Sequence, residues 1–279
     1  MICCICPRAC DLSDGQTGFC MGRSNTNGQI TAKNYGCITS LAIDPIEKKP
    51  FARFLPGSFV LSIGSYGCNL RCPYCQNHYI SMTTPPLEHM RVMRPEELAS
   101  LAAALAGKGN IGLAFTYNEP LIGYEFVMDT STEVRKTGLK NVLVTNGMIC
   151  DEPLLLLLPN IDAINVDLKG FTSGFYDWVF GDGYGHRGLK TVKNTIMKAA
   201  GYCHVEVTTL IIPGRNDSET EIRALSSWLA SVNRSIPLHI SRYHPDYKYF
   251  DSLSPSVSSI DQLVAVALES LDYVYRGNC

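Results

Sequence analysis

Residues 59–77 read Phe59-Val-Leu-Ser-Ile63-Gly-Ser-Tyr-Gly-Cys68-Asn-Leu-Arg-Cys72-Pro-Tyr-Cys75-Gln-Asn77. The apolar run Phe59 to Ile63 has the length and composition of a buried strand. Directly after it, Cys68, Cys72 and Cys75 stand in a C-x3-C-x2-C spacing. Three thiolates this close hold three irons of a cubane cluster and leave the fourth iron without a protein ligand; an open coordination position marks a catalytic metal site. A closed zinc site is the alternative, and it needs a fourth ligand that the nearby His78 is placed to supply. Gly64 and Gly67 suit a loop whose backbone comes close to a ligand.

Outward from this stretch, strand-type runs recur at Ile111 to Phe115, Asn141 to Val144, Ala163 to Val166, Val205 to Ile212 and Leu238 to Ile240. Helical patterns separate them. Arg94-Pro95-Glu96-Glu97 puts proline and acids in a first turn, and Leu98, Leu101, Ala102 and Leu105 follow at helical spacing before Gly107. Ser218 with Glu221 reads as a capping box ahead of the stripe Ile222, Leu225 and Leu229. Strand and helix alternate six times, which predicts an α/β fold: a partial (β/α)6 TIM-type barrel of parallel strands, with its chemistry at the C-terminal strand ends.

The barrel is expected over residues 53–279, after a small Cys-rich metal-binding β unit at residues 1–52. In that unit Asn27-Gly28 is a hairpin turn signal, followed by β-prone stretches at Ile30 to Tyr35 and Cys37 to Ile43. Turn formers and charges from Asp44-Pro45 to Pro56-Gly57 place the boundary near residue 52. Cys3, Cys6, Cys10 and Cys20 supply four thiolates, with Cys4 to spare. Such a set suits a closed zinc site or a second Fe-S cluster with no open iron, in a structural or electron-relay role. The unit has too few apolar residues to stand alone, so a metal would supply its folding energy.

Composition narrows the function classes. The 279 residues are 46% hydrophobic and 18% charged, which excludes a disordered or fibrous chain. A net charge of −2, from 24 Lys+Arg against 26 Asp+Glu, leaves no electrostatic footprint for nucleic acid or an anionic membrane. The longest apolar run, Leu154 to Leu158, is too short to span a bilayer, and the opening MICCICPRAC lacks a basic-then-apolar signal pattern. A cytoplasmic location is expected. There, 12 cysteines point to metal or redox chemistry rather than to disulfides.

The run CNLRCPYC resembles the cluster motif of the radical S-adenosylmethionine (radical SAM) superfamily, in which an aromatic residue, here Tyr74, precedes the third cysteine. SIGSYGCNLRCPYCQN is similar to the pyruvate formate-lyase activating enzyme branch. DPIEKKP, FLPG, FTYNEP, HVEVTTLIIPGRNDSE and LHISRYHPDYK resemble the radical SAM enzyme of the AmmeMemoRadiSam system. The resemblance implies a [4Fe-4S] cluster on Cys68, Cys72 and Cys75, with S-adenosylmethionine chelating the open iron through its amine and carboxylate. One-electron reduction then yields methionine and a 5′-deoxyadenosyl radical that abstracts a hydrogen atom.

The same resemblance assigns the strand ends. Tyr117-Asn118-Glu119-Pro120 stands where the superfamily commonly has Gly-Gly-Glu-Pro, so Asn118 and Glu119 are expected to accept from the methionyl amine, and the glycine backbone contacts are put in question. Thr145 and Asn146 end the next strand and are expected at the cofactor. Asp167-Leu168-Lys169 is similar to the Asp-Leu-Lys motif of activating enzymes, in which the lysine meets the cofactor carboxylate; a surface salt bridge is the plain alternative. Ile212-Pro213-Gly214 is expected to line the adenine site and His244 to contact the ribose. Implied partners are a reductant such as flavodoxin or ferredoxin, and a glycyl radical enzyme, AmmeMemoRadiSam companion proteins or a small molecule as target. The rival class is a non-catalytic iron–sulfur or zinc protein for electron transfer or scaffolding, which gives no reason for Glu119, Asp167, Lys169 and His244 to recur at strand ends.

Overall fold

A computed structural model describes every residue except Asp182. Asn27 and Gly28, both at positive φ (52° and 74°), turn the chain between strands β1 (Arg23–Thr26) and β2 (Gln29–Ala32), as a two-residue hairpin demands. The expected Cys37–Ile43 stretch is divided between β3 (Cys37–Ile38) and β4 (Ser40–Pro45). Then follow β5 (Phe59–Gly64), a one-turn helix α1 (His78–Ser81) and β6 (Arg91–Val92), which pairs with β3. From there helix and strand alternate: α2 (Pro95–Ala104), β7 (Asn110–Phe115), α3 (Tyr124–Lys136), β8 (Lys140–Thr145), α4 (Asp151–Leu157) and β9 (Ala163–Asp167). Helices α5 (Ser173–Phe180) and α6 (Gly185–Ala199) precede β10 (His204–Ile211), and α7 (Glu219–Asn233), β11 (Leu238–Arg242), α8 (Val257–Leu268) and β12 (Val274–Gly277) complete the order.

All six expected barrel strands are present. With β4 and β12 they form one eight-stranded sheet in the order β12-β11-β10-β9-β8-β7-β5-β4, parallel except for β4. Strands such as β5 are buried along almost their whole length, because helices cover one face and the barrel interior the other. Leu61, Leu113, Leu143, Ile164 and Val207 belong to the large core against the helices. The alternate residues Val60, Ala114, Val142 and Ala163 point inward to a smaller cluster.

That inner cluster draws on residues that precede the expected boundary near 52. Strand β4 lies antiparallel on β5, from Ser40 opposite Gly64 to Pro45 opposite Phe59, so the barrel sheet begins well before residue 52. Ile46 and Phe51, both fully buried, then plug the barrel interior. Turn-forming residues lie between them, but the two apolar side chains make the segment core. Before β4, the cysteine-rich segment docks on the barrel. Arg23, buried, pairs with Glu125 of α3 at 2.6 Å and donates to the Ile122 carbonyl at 3.1 Å.

The plug is held by Glu206 of β10. Its carboxylate accepts from Ala52 N (3.0 Å), Arg53 N (2.8 Å), His204 Nε2 (2.9 Å) and His239 Nε2 (2.6 Å). Burial would raise this carboxyl, but the donors from His204, His239 and the two amides bring it from its ordinary 4.5 down to about 2. The resulting stability is full above pH ~4.5 and is lost as pH falls through ~2, about 3 kcal/mol in all. Glu206→Gln is expected to lower unfolding free energy at pH 7 by about 3 kcal/mol and to flatten its fall below pH ~4.5, read by urea titration at several pH values. Among the described residues, no helix is long and apolar enough to cross a membrane.

Candidate active site

The loop after β5 carries the cysteine triplet. Asn118, at the end of β7, fixes this loop: its Oδ1 accepts from Ser65 N (2.9 Å) and its Nδ2 donates to the Gly67 carbonyl (3.0 Å). This alters the expectation for Asn118, whose amide is committed to the loop rather than turned to a ligand amine. Cys68 and Cys72 are buried, Cys75 is half-buried, and all three are free thiols. Arg71 ties the loop back on itself through the Cys68 (2.7 Å) and Leu70 (2.8 Å) carbonyls and reaches the Phe19 carbonyl of the N-terminal segment.

Burial pushes the Cys72 thiol up to about 11 despite the nearby Lys169, and raises Cys68 well above its ordinary range. Unmetallated, these thiols stay protonated at neutral pH; a bound metal holds them as thiolates. Among the described residues no three His, Cys, Asp or Glu side chains are gathered closely enough to bind a single metal ion. Thiolates sharing one zinc would each lie about 2.3 Å from it. In a cubane each thiolate would bind its own iron. His78, the alternative fourth zinc ligand, has Nδ1 on the Cys75 carbonyl (3.1 Å) and its ring stacked on Tyr247 at 4.4 Å.

Glu119 follows Asn118 and is 3% exposed. Its carboxylate accepts from Leu121 N (3.0 Å) and, at the end of β8, from Thr145 Oγ1 (2.7 Å) and Asn146 N (2.8 Å). Burial, tempered by those three donors, lifts its pKa from 4.5 to about 7. The Asn146 side chain continues the chain of contacts, with Nδ2 at 2.8 Å from Asn69 Oδ1 and 3.6 Å from Cys68 Sγ. Asn69 gave no signal beyond its place inside the motif.

At the end of β9, Lys169 donates to Asp167 at 2.7 Å. The pair is the salt bridge that sequence alone offered as the plain reading, yet it stands beside the cysteines. Burial alone would lower the ammonium; Asp167 and Cys72 hold it above its ordinary range. Tyr74 is buried among Phe175, Trp178 and Tyr243. Its hydroxyl and that of Tyr176 are buried without a hydrogen-bond partner, both near Cys72 and Asp167. Two orphaned phenols at one place are the signature of a polar group that completes the site. His244 is exposed, and its Nε2 lies 3.2 Å from the Asn278 carbonyl. The chain beyond it, not His244 itself, returns to the triplet, where Lys248 N donates to the Pro73 carbonyl at 2.9 Å.

Tyr117 explains how the site keeps its shape without the expected glycine. It sits at φ 71°, a conformation a bulky residue rarely adopts. Its hydroxyl donates to Asp44 at 2.7 Å, Lys49 lies over its ring at 4.3 Å, and its carbonyl accepts from Asn77 at 2.7 Å. Tyr117→Gly and Tyr117→Ala lose the same ring contacts, but only alanine retains the backbone strain. The glycine variant is therefore expected to be the more stable of the two by about 1 kcal/mol in urea unfolding.

The four N-terminal cysteines Cys3, Cys6, Cys10 and Cys20 line one further cavity, next to Asn69.

Residues 62–225 match the Radical SAM superfamily. The chain is 41% identical to "Uncharacterized protein MJ0808" of Methanocaldococcus jannaschii, across 99% of this chain and 80% of that protein. In fold it is similar to Streptococcus suis SuiB bound to S-adenosylmethionine, with a TM-score of 0.60 and 10% identity over 77% of this chain and 48% of that one. It is also similar to a domain of pyruvate-formate lyase-activating enzyme from Bacteroides vulgatus, with a TM-score of 0.51 and 20% identity over 60% of this chain and 99% of that domain. With its cysteine triplet, buried carboxylate and ion pair at the mouth of a partial barrel, the chain belongs to the radical SAM superfamily, whose cofactors are a [4Fe-4S] cluster and S-adenosylmethionine.

Proposed function

We propose that this enzyme uses the radical made from S-adenosylmethionine to abstract a hydrogen atom from a partner protein, as an activating enzyme does with the glycine of a glycyl radical enzyme. The observation that carries the reading is the convergence at one barrel mouth of the free triplet after β5, buried Glu119 after β7 and the Lys169–Asp167 pair after β9. Cys68, Cys72 and Cys75 would hold a [4Fe-4S] cluster, which would supply the electron for reductive cleavage of S-adenosylmethionine. Glu119 accepts from the methionyl amine. Lys169 turns from Asp167 to the methionyl carboxylate, which a point charge on a flexible stem can do. Tyr74, Thr145 and Asn146 wall the site, and Asn118 keeps the cysteine loop in place.

A protein-sized target is favoured by the rim of the mouth. Tyr79 on the cysteine loop is 73% exposed, and Phe250 and Leu253 after β11 are 63% and 84% exposed. The two loops meet where His78 stacks on Tyr247. Exposed apolar side chains so grouped mark an interaction surface. The similarity to the activating-enzyme domain supports a glycyl radical enzyme as target, and the DPIEKKP and HVEVTTLIIPGRNDSE strings support a companion protein of the AmmeMemoRadiSam system. Reduced flavodoxin or ferredoxin is the proposed electron source.

The test is an anaerobic incubation of the reconstituted enzyme with S-adenosylmethionine, reduced flavodoxin and a partner carrying deuterated glycine. Deuterium in the released 5′-deoxyadenosine and a glycyl radical signal in the partner are expected. Unlabelled 5′-deoxyadenosine with no radical on any protein partner overturns the protein target. No 5′-deoxyadenosine at all overturns the reaction.

A further inference from the structure

The cavity of Cys3, Cys6, Cys10 and Cys20 is a site in its own right. None of the four thiols is in a disulfide. The chain wraps to bring them together: Cys3 N donates to the Cys10 carbonyl at 2.9 Å and Ala9 N to the Cys6 carbonyl at 3.1 Å, closing a tight knuckle. Two cations complete the lining. Arg8 lies beside Cys6 and Cys10, and Arg23, only 4% exposed, lies beside Cys3 and Cys20. The Nε of each guanidinium is buried without a hydrogen-bond partner. Buried donors left open around four thiols ask for anionic sulfur as acceptor.

The two open guanidinium donors separate the two metal chemistries. A zinc ion would gather the four thiolates around one centre and bring no acceptor of its own. A cubane would add inorganic sulfides, which would accept from the Nε–H groups of Arg8 and Arg23.

This cavity shares a wall with the triplet. The Cys20 carbonyl accepts from Cys68 N at 3.2 Å. Gly67, at φ 87°, lets the chains come that close, since a Cβ there would meet the Cys20 oxygen at 2.3 Å. Asn69 lines the cavity on one side and contacts Asn146, neighbour of Cys68 Sγ, on the other. Cys3 and Cys20 are buried on this inner side, while Cys6 and Cys10 are partly exposed. The geometry points to a second [4Fe-4S] cluster on Cys3, Cys6, Cys10 and Cys20 that takes one electron from a reduced flavodoxin or ferredoxin at its exposed edge and passes that electron across the Cys20–Cys68 contact to the triplet cluster. The site stands on its own residues; the relay rests on the proposed reaction.

Iron, sulfide and zinc analysis with Mössbauer spectroscopy of the anaerobically prepared full chain tests the site. About eight irons and eight sulfides per chain are expected in the wild type, and about four of each in a Cys6→Ser, Cys10→Ser variant. A Cys72→Ser, Cys75→Ser variant should keep about four irons in a cluster whose electron paramagnetic resonance signal ignores S-adenosylmethionine. About one zinc and only four irons in the wild type overturn the second cluster, whatever the variants do. For the relay, the Cys6→Ser, Cys10→Ser variant should form 5′-deoxyadenosine within about threefold of wild type with dithionite, which reaches the triplet directly, and at least about tenfold slower with reduced flavodoxin. Equal rates with flavodoxin overturn it. A wild type that holds both clusters yet cleaves nothing with either reductant overturns the reaction and the relay together, and leaves the site.

Discussion

Cys75→Ala is expected to abolish 5′-deoxyadenosine formation, by at least about 10³-fold, in a protein that folds as the wild type does. The two halves of this expectation have different origins. Cys75 is the least buried of the triplet, and its loop is fixed by Asn118, Arg71 and Asn77 rather than by its own thiol. Removing its sulfur therefore opens no core cavity. It does remove one of three iron ligands, and a cluster bound by two thiolates neither keeps its irons nor presents an open one in the right place. A rate loss of that size corresponds to about 4 kcal/mol of transition-state stabilisation. Cys203→Ala is the control, since that thiol only donates to the Ala199 carbonyl on the helix side of the sheet. Chromatographic assay of 5′-deoxyadenosine decides the matter, together with electron paramagnetic resonance of the reduced protein with and without S-adenosylmethionine. Activity retained in Cys75→Ala would mean that the third ligand is not in this loop.

Much of this site was legible because its signals are local. Three cysteines on one loop need no tertiary information, and the six central strands announce themselves by unbroken apolar runs that parallel sheets require. Glu119 and Lys169 were found through short motifs at strand ends. The missing pieces depend on contacts far apart in sequence. Strand β4 carries an ordinary β pattern, but only its pairing with β5 shows that it belongs to the barrel. Strand β12, Val274–Gly277, is four residues with one arginine and a terminal glycine, too weak a pattern to read as a strand without β11 beside it. Glu206 joins residues over 150 positions apart. Asn118 stands where the superfamily commonly has glycine, and its amide serves the cysteine loop, a contact the motif alone does not show. His244 is exposed for a related reason: the segment after β11 turns so that Tyr243 is buried against Tyr74 and its neighbour faces outward.

Glu119→Gln should separate binding from folding. Glu119 accepts three hydrogen bonds in a buried place, and burial still raises its pKa to about 7. A folded-state pKa raised above the ordinary 4.5 means that this group's contribution to stability is full below pH ~4.5 and lost as pH rises through ~7, a change of about 3 kcal/mol. The sign is opposite to that of Glu206. Above pH 7 the free protein therefore carries an ionised carboxylate at a net energetic cost, and glutamine removes that charge. Glutamine in turn must point an N–H at the Asn146 N–H, the Thr145 hydroxyl or the Leu121 N–H, which costs about 1–3 kcal/mol. The two effects oppose each other, so the melting temperature at pH 8 should stay near that of wild type. Binding has no such offset. The N–H of the iron-bound methionyl amine is matched by the ionised carboxylate, and a charge-assisted bond of about 1.5–3 kcal/mol sets a loss of roughly 10- to 150-fold in S-adenosylmethionine affinity for the variant. Chelation through the amine sheds the free ligand's ammonium proton in wild type and variant alike; Glu119 adds a second proton released on binding below pH about 7, and that increment, with its share of the rise in affinity, should vanish in Glu119→Gln. Anaerobic calorimetry in buffers of different ionisation enthalpy measures both quantities at once. A proton release below pH ~7 as large in the variant as in wild type would assign the extra titration to another group and remove Glu119 from the amine.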